Sequence, residues 1–89
     1  MQSWYIYVLK CSDSSFYTGI TTNLEERIKR HNSGDGARYT RTRRPVSLIY
    51  SEELGSKSEA KRREIEIKSL GRENKERLIK GHQIKKPQD

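Results

Sequence analysis

Two short runs of aromatic and β-branched residues near the start of the chain place the strongest constraint on its fold. Trp4–Lys10 and Phe16–Thr21 both have residue types that favour strands, and the polar segment Ser12-Asp13-Ser14-Ser15 between them is typical of a turn. The two runs therefore predict an antiparallel hairpin. If the turn centres near Asp13, odd-numbered residues of the two strands share one face, which would carry Tyr5, Tyr7, Tyr17 and Gly19.

The rest of the chain predicts helices and one more strand. Thr22 and Glu25 match a capping box, which predicts a helix over about 23–32. Gly34 and Gly36 then open a loop that runs to Arg44-Pro45, and residues 46–50 have the composition of a third strand.

A second capping box, Ser56 to Glu59, predicts a helix that ends at Gly71, and a last helix is expected over about 72–80. Residues 82–89 are polar and basic, and we expect a disordered tail there. The resulting ββαβαα order predicts an α+β fold, in which helices flank a small three-stranded antiparallel sheet. Residues 1–81 form a single domain in this interpretation, because 89 residues leave no room for a second core.

Composition and charge narrow the class of protein. The single cysteine excludes an internal disulfide, and the start of the chain has no basic segment and only a short apolar run, so we expect a soluble, cytoplasmic protein. The net charge of +7 predicts a polyanionic partner, with nucleic acid the commonest one. The densest basic patch consists of Arg38, Arg41, Arg43 and Arg44.

Three charged or titratable residues fall on helix stripes that should face the core. The stripe through Leu24 and Ile28 also contains Arg27 and His31, and Glu64 lies between Ala60 and Ile67 on the second long helix. Each residue has an ordinary explanation, since arginines snorkel, glutamates are solvated, and a histidine near a helix C-terminus favours the helix dipole. Together with the tyrosines of the hairpin, they predict one polar cleft.

The order and spacing of these residues resemble the GIY-YIG nuclease domain, and in particular its small stand-alone bacterial members. The likeness runs from about residue 4 to residue 79, and it is carried by Tyr5-Ile6-Tyr7, Tyr17-Thr18-Gly19, Asn23-Leu24-x-x-Arg27-x-x-x-His31 and Ala60-x-x-x-Glu64. Two positions depart from the family pattern. Tyr5 stands where the first motif has glycine, and Ile20 stands where DNA-repair members have lysine.

The resemblance implies an endonuclease with one metal ion. Glu64 would be the metal ligand, holding Mg²⁺ or Mn²⁺, and the catalytic residues would be Tyr7, Tyr17, Arg27, His31 and Glu64. Arg27 would stabilise the charge that develops on phosphorus, while either Tyr7 or His31 would be the general base. Asn74 is a further candidate, for the family's late asparagine.

The substrate implied is DNA rather than RNA, with Arg38, Arg41, Arg43 and Arg44 as sequence-independent phosphate contacts. We expect a monomer that is targeted either by its own basic surface or by a partner protein. The alternative to an endonuclease is a nucleic-acid-binding module with the same fold but little or no cleavage activity.

Overall fold

The computed structural model describes residues 2–84, and side chains as far as residue 81. Its strands are β1 (Trp4–Lys10), β2 (Phe16–Thr21) and β3 (Ser47–Leu54), and its helices are α1 (Leu24–Ser33), α2 (Arg38–Arg41), α3 (Lys57–Lys68) and α4 (Arg72–Ile84). The strands form one antiparallel sheet with the order β2-β1-β3, so β1 is central. The predicted α+β class and the three-stranded sheet flanked by helices are confirmed.

The hairpin has the register that its turn chemistry predicts. Tyr7 lies opposite Gly19, and Leu9 lies opposite Tyr17, so the odd-numbered residues of β1 and β2 share a face. That face packs on α1 through Leu24 and Ile28. The even-numbered face, with Ile6 and Val8, packs on Ile67 of α3 and Ile79 of α4.

Helix α1 begins one residue later than predicted. Asn23, and not Thr22, is the N-cap, because its side chain accepts a hydrogen bond from the backbone N–H of Glu26 at 3.1 Å. The Thr21 hydroxyl in turn accepts from the Asn23 backbone N–H. Gly34 ends the helix with a φ of 95°, in the left-handed region that favours glycine.

Four predictions of where elements lie or end were wrong. The predicted 34–45 loop contains the short helix α2, and β3 continues to Leu54 because its second half pairs with the start of β1. Helix α3 stops at Lys68 with Ser69 as its C-cap, and the next backbone N–H, that of Leu70, donates to the Ile67 carbonyl three residues back in a tighter turn. Helix α4 continues through residues 82–84 of the predicted tail, and residues 85–89 lie outside the described residues.

Within residues 2–84, no helix combines the length and the apolar character that a membrane span requires.

Candidate active site

Four of the five predicted catalytic residues meet on the odd-numbered face of the hairpin. The rings of Tyr7, Tyr17 and His31 lie with their centroids between 5.2 and 6.4 Å apart. Arg27 joins them from α1, donating from Nε to the Tyr7 hydroxyl at 3.3 Å. Tyr7 and His31 are buried, with 1% and 0% of their surface exposed, whereas Arg27 and Tyr17 are half-buried and open the cluster to solvent.

Gly19 makes room for the central tyrosine. The Tyr7 ring lies over the backbone of Gly19 on the neighbouring strand, and a Cβ at that position would be 2.5 Å from the Tyr7 hydroxyl oxygen. A side chain at residue 19 would therefore push the hydroxyl out of place. This explains why the sequence has glycine two residues after Tyr17, in a strand interior where glycine is otherwise unfavourable.

His31 connects the tyrosine to the segment that follows α1. Its Nε2 lies 2.9 Å from the Tyr7 hydroxyl, and its Nδ1 lies 2.8 Å from the Thr40 hydroxyl. Gly36 packs its backbone against the same side of the imidazole, where a Cβ would be 2.3 Å from Nδ1. The histidine is thus held from both sides, by β1 and by the start of α2.

The electrostatics of this pair are dominated by burial. Burial, and after it the positive charge of Arg27, lower the pKa of His31 to about 4, so the imidazole is neutral near pH 7. Burial also raises the pKa of Tyr7, although the Arg27 hydrogen bond and charge act in the opposite direction. Arg27 therefore lowers the pKa of Tyr7 by less than burial raises it, because loss of water outweighs the nearby cation.

Glu64 lies on the inward stripe of α3, between the fully buried Ala60 and Ile67. Its side chain is 20% exposed, and its negative charge acts on Tyr7 by raising the pKa of that hydroxyl. Its Oε2 lies 3.1 Å from the Lys68 ammonium one turn further along α3. The carboxylate thus acts on Tyr7 through its charge, and it forms an ion pair with Lys68.

Glu64 suits an ion such as Mg²⁺, which keeps much of its water, better than an ion that needs several protein ligands. Within residues 2–84, no group of three or more His, Cys, Asp or Glu side chains could hold a metal ion. Mg²⁺ is often bound through one or two carboxylates and otherwise by water and substrate phosphate, which matches a single glutamate. The carboxylate already accommodates a positive charge, that of Lys68. Glu64 is therefore the residue that would hold such an ion.

The four predicted phosphate-contacting arginines are not equivalent. Arg38 and Arg41 are exposed on α2. Arg43 forms an ion pair with Asp13 at 3.1 Å, and its guanidinium lies 3.9 Å from the centre of the Tyr39 ring. Arg44 donates hydrogen bonds to the backbone carbonyls of Arg41 and Asn32. Two of the four side chains are therefore engaged in holding the 34–45 segment.

Sequence reasoning missed three contributors from that segment. Thr40 and Gly36 contact His31, as described above, and Tyr39 stacks on Tyr17 with ring centroids 6.0 Å apart. The only sequence signal was that two uncharged residues, Tyr39 and Thr40, lie between arginines in an arginine-rich stretch. Asn74, the candidate for the family's late asparagine, is exposed on α4.

The chain is similar to known proteins over most of its length. The GIY-YIG catalytic domain family matches residues 3–77. A UPF0213 protein of Staphylococcus haemolyticus is 57% identical over 79 residues, covering 89% of this chain and 96% of its own, and one from Natronomonas pharaonis is 56% identical over 75 residues, covering 84% and 88%.

Two solved structures are also similar. The solution structure of a UPF0213 protein from Bacillus halodurans has 49% identity and a TM-score of 0.58, and covers 88% of this chain and 83% of its own. A protein from E. faecalis has 42% identity and a TM-score of 0.66, with coverage of 100% and 95%. The match over residues 3–77, together with these relatives, establishes that the chain belongs to the GIY-YIG catalytic domain family.

Proposed function

We propose that the protein hydrolyses phosphodiester bonds of DNA as a metal-dependent endonuclease. The observation that carries this proposal is the convergence of Arg27, Tyr7 and His31 within hydrogen-bonding distance, with the charge of Glu64 acting on the same hydroxyl. Membership of a family of catalytic domains supports the same class of chemistry. The basic surface of the chain supports a polyanionic substrate.

Arg27 is the residue that binds the scissile phosphate. Its Nε donates a hydrogen bond to the Tyr7 hydroxyl. Its half-buried side chain also lines a groove of about 320 Å³ together with Trp4, Ile20 and Asn23. A phosphate in that groove would meet a guanidinium that a hydrogen bond already orients. Because guanidinium makes paired contacts to phosphate oxygens, Arg27 stabilises the negative charge that grows on those oxygens during attack.

Tyr7 and His31 act together as the base. In the attack step, water oxygen forms a bond to phosphorus while the bond from phosphorus to the leaving oxygen breaks. The water proton moves to the Tyr7 oxygen as the Tyr7 proton moves to His31 Nε2, and the leaving oxygen takes a proton from solvent. Burial, and after it the charge of Arg27, lower the pKa of His31 and disfavour the imidazolium, and the incoming phosphate anion offsets the second of these two causes.

Glu64 would hold the metal ion of the proposed enzyme, Mg²⁺ or Mn²⁺. When bound, such an ion supplies charge stabilisation at the phosphate and the leaving oxygen. Tyr17 helps to position the other two rings, because its ring packs on both Tyr7 and His31. Its hydroxyl is available as a further contact to the phosphate.

The test is cleavage of labelled single-stranded, duplex and branched DNA by purified protein with Mg²⁺, Mn²⁺ or EDTA. We expect metal-dependent cleavage that falls at least about 100-fold in Arg27→Ala and Glu64→Gln, the range seen when a transition-state charge contact is removed. Matched controls are Lys29→Ala, which removes a charge from the exposed face of α1, and Glu66→Gln, which changes an exposed glutamate of α3.

Two results would contradict the proposal. Equal cleavage by wild type and both site variants would identify a contaminating nuclease. Salt-sensitive binding of all three DNA forms without cleavage by any metal would favour the nucleic-acid-binding module instead.

A further inference from the structure

Thr40 is a fully buried polar residue in an otherwise exposed, arginine-rich helix. It lies in α2, and none of its surface is accessible, although the arginines at both ends of that helix are exposed. Its hydroxyl oxygen lies 2.8 Å from His31 Nδ1 and 3.1 Å from the backbone carbonyl oxygen of Ala37. A buried hydroxyl with two such partners restricts where protons can reside.

The direction of each hydrogen bond follows from simple counting. The Ala37 carbonyl oxygen only accepts, and it also accepts from the Arg41 backbone N–H at 3.2 Å, so the contact of Thr40 with Ala37 is a hydrogen bond in which Thr40 donates its single proton. The Thr40 oxygen must then accept from His31, which requires a proton on Nδ1. A neutral imidazole carries only one ring proton, and Nε2 is left as an acceptor for the Tyr7 hydroxyl.

The other end of the chain of bonds agrees with this direction. Arg27 Nε is always a donor, so the Tyr7 oxygen accepts from it and has its own proton free to donate to His31. Donation therefore runs from Arg27 to Tyr7 to His31 to Thr40 to the Ala37 carbonyl. With the opposite histidine tautomer, Nε2 would donate its own proton to the Tyr7 oxygen. Nε2 would then have no lone pair free to accept the proton of the Tyr7 hydroxyl.

We propose that Thr40 is a positioning residue that fixes His31 in the Nδ1–H tautomer and so directs its basic nitrogen at the Tyr7 hydroxyl. Thr40 is not among the residues that line the groove beside Arg27, and its hydroxyl bonds to His31 and Ala37, so it would act on Tyr7 through the imidazole. Gly36 belongs to the same arrangement, because its backbone packs against the Nδ1 side of the ring, where a Cβ has no room. The catalytic part of this proposal rests on the proposed nuclease function, whereas the tautomer does not.

The tautomer can be measured directly by long-range ¹H–¹⁵N correlation spectra of the folded protein at pH 7. Two histidines are present in the sequence, and the signals of His31 are identified by their loss in His31→Asn. We expect wild type to have a protonated Nδ1 and an unprotonated Nε2 in His31. The reverse assignment in wild type would overturn the proposal without any Thr40 variant being needed.

Variants of Thr40 separate positioning from packing. Thr40→Val keeps the shape but cannot accept from Nδ1–H, so we expect population of the Nε2–H tautomer and at least a tenfold fall in kcat, with KM for DNA within about twofold. Thr40→Ser keeps the hydroxyl and should restore both the wild-type tautomer and most of kcat. If Thr40→Val keeps the Nδ1–H tautomer and wild-type kcat, or if Thr40→Ser behaves like Thr40→Val, the proposal is wrong.

The proposed function and this inference fail separately. A wild-type protein with the Nδ1–H tautomer but without turnover on any DNA would contradict the nuclease function and support the structural role of Thr40. A wild-type protein with the Nε2–H tautomer and full metal-dependent turnover would support the nuclease function and contradict the role of Thr40.

Discussion

At the scale of single residues, His31 links the site to the stability of the fold. The imidazole is fully buried, and its pKa falls from an ordinary 6.5 to about 4 in the folded protein. The unfolded chain therefore binds more protons between these pH values, so the stabilisation that this group provides is complete above pH 6.5 and is lost as the pH falls towards 4. We therefore expect the free energy of unfolding to fall as the pH falls from 6.5 towards 4.

We predict that His31→Gln removes this part of the pH dependence. The difference between the unfolding free energies of wild type and variant should shrink by up to about 3 kcal/mol between pH 7 and pH 4, the equivalent of the pKa shift. Urea denaturation at several pH values gives this difference, in which the carboxylates common to both proteins cancel. Two parallel stability curves would contradict the assigned burial of a neutral imidazole.

Gly19 gives a second prediction at the same scale. Gly19→Ala should lower the free energy of unfolding by about 1–3 kcal/mol and displace the Tyr7 hydroxyl, because the added methyl group would lie 2.5 Å from that oxygen. Thermal unfolding and DNA cleavage are the measurements. The control is Gly81→Ala on α4, where a Cβ meets nothing within 4 Å and should be neutral or slightly stabilising. Wild-type stability and cleavage in Gly19→Ala would refute the close approach.

At the scale of elements, the long helices and the hairpin were predictable, and α2 was not. The turn chemistry around Asp13 set the register, and the stripes on α1 and α3 placed Arg27, His31 and Glu64. Helix α2 is four residues long, and contacts distant in sequence hold it, namely Thr40 to His31 and Tyr39 to Tyr17. A pattern within the segment has no means of predicting such contacts, because short helices depend on tertiary packing.

An ion-pair network that no local pattern predicted ties α3 to the sheet. Arg63 donates two hydrogen bonds of 2.9 Å to the carboxylate of Glu52 on β3, and Glu52 also accepts from the Tyr50 hydroxyl. Arg63 is 33% exposed and Glu52 is 23% exposed, so both charges are partly removed from water. This network contributes to the position of α3, the helix that carries Glu64.

We predict that Arg63→Ala costs about 1–2 kcal/mol of unfolding free energy, because it removes the two hydrogen bonds that Arg63 donates to the half-buried Glu52 carboxylate. Arg62→Ala, at an exposed position next to it on α3, is the matched control and should change stability by no more than about 0.5 kcal/mol. Chemical denaturation compares the two variants. Equal stability of Arg63→Ala and Arg62→Ala would mean that the Glu52 contact contributes nothing to the fold.

At the scale of the whole molecule, the net charge of +7 is distributed differently from what the sequence suggested. Two arginines of the 34–45 segment are engaged by groups of the protein itself, since Arg43 pairs with Asp13 and Arg44 donates to backbone carbonyls. Asp13 lies 30 positions from Arg43 in sequence, so the pairing depends on the fold and not on any local charge pattern. Arg38, Arg41 and Arg44 are all exposed, but Arg44 also donates hydrogen bonds to backbone carbonyls, so Arg38 and Arg41 are the members that we expect to contact a polyanion.

We predict that Arg38→Ala and Arg41→Ala each reduce the steepness of the salt dependence of duplex DNA binding by about 0.9 in a log–log plot, the value for one phosphate contact. Arg43→Ala should reduce it less, and should instead lower stability. The control is Arg77→Ala on α4, whose side chain is exposed beside Glu73. Fluorescence anisotropy over a range of salt concentrations measures the slopes. Identical slopes in wild type, Arg38→Ala and Arg41→Ala would mean that α2 does not contact the DNA phosphates.

The central claim, that this site hydrolyses phosphodiester bonds, is tested most directly by the fate of the water oxygen. Cleavage of a defined DNA in ¹⁸O-labelled water with Mg²⁺ or Mn²⁺, followed by mass spectrometry, should place one labelled oxygen in the new terminal phosphate. The Glu64→Gln protein, purified in parallel, should yield neither product nor label. No cleavage by wild type with either ion, or equal labelled product from Glu64→Gln, would contradict the account.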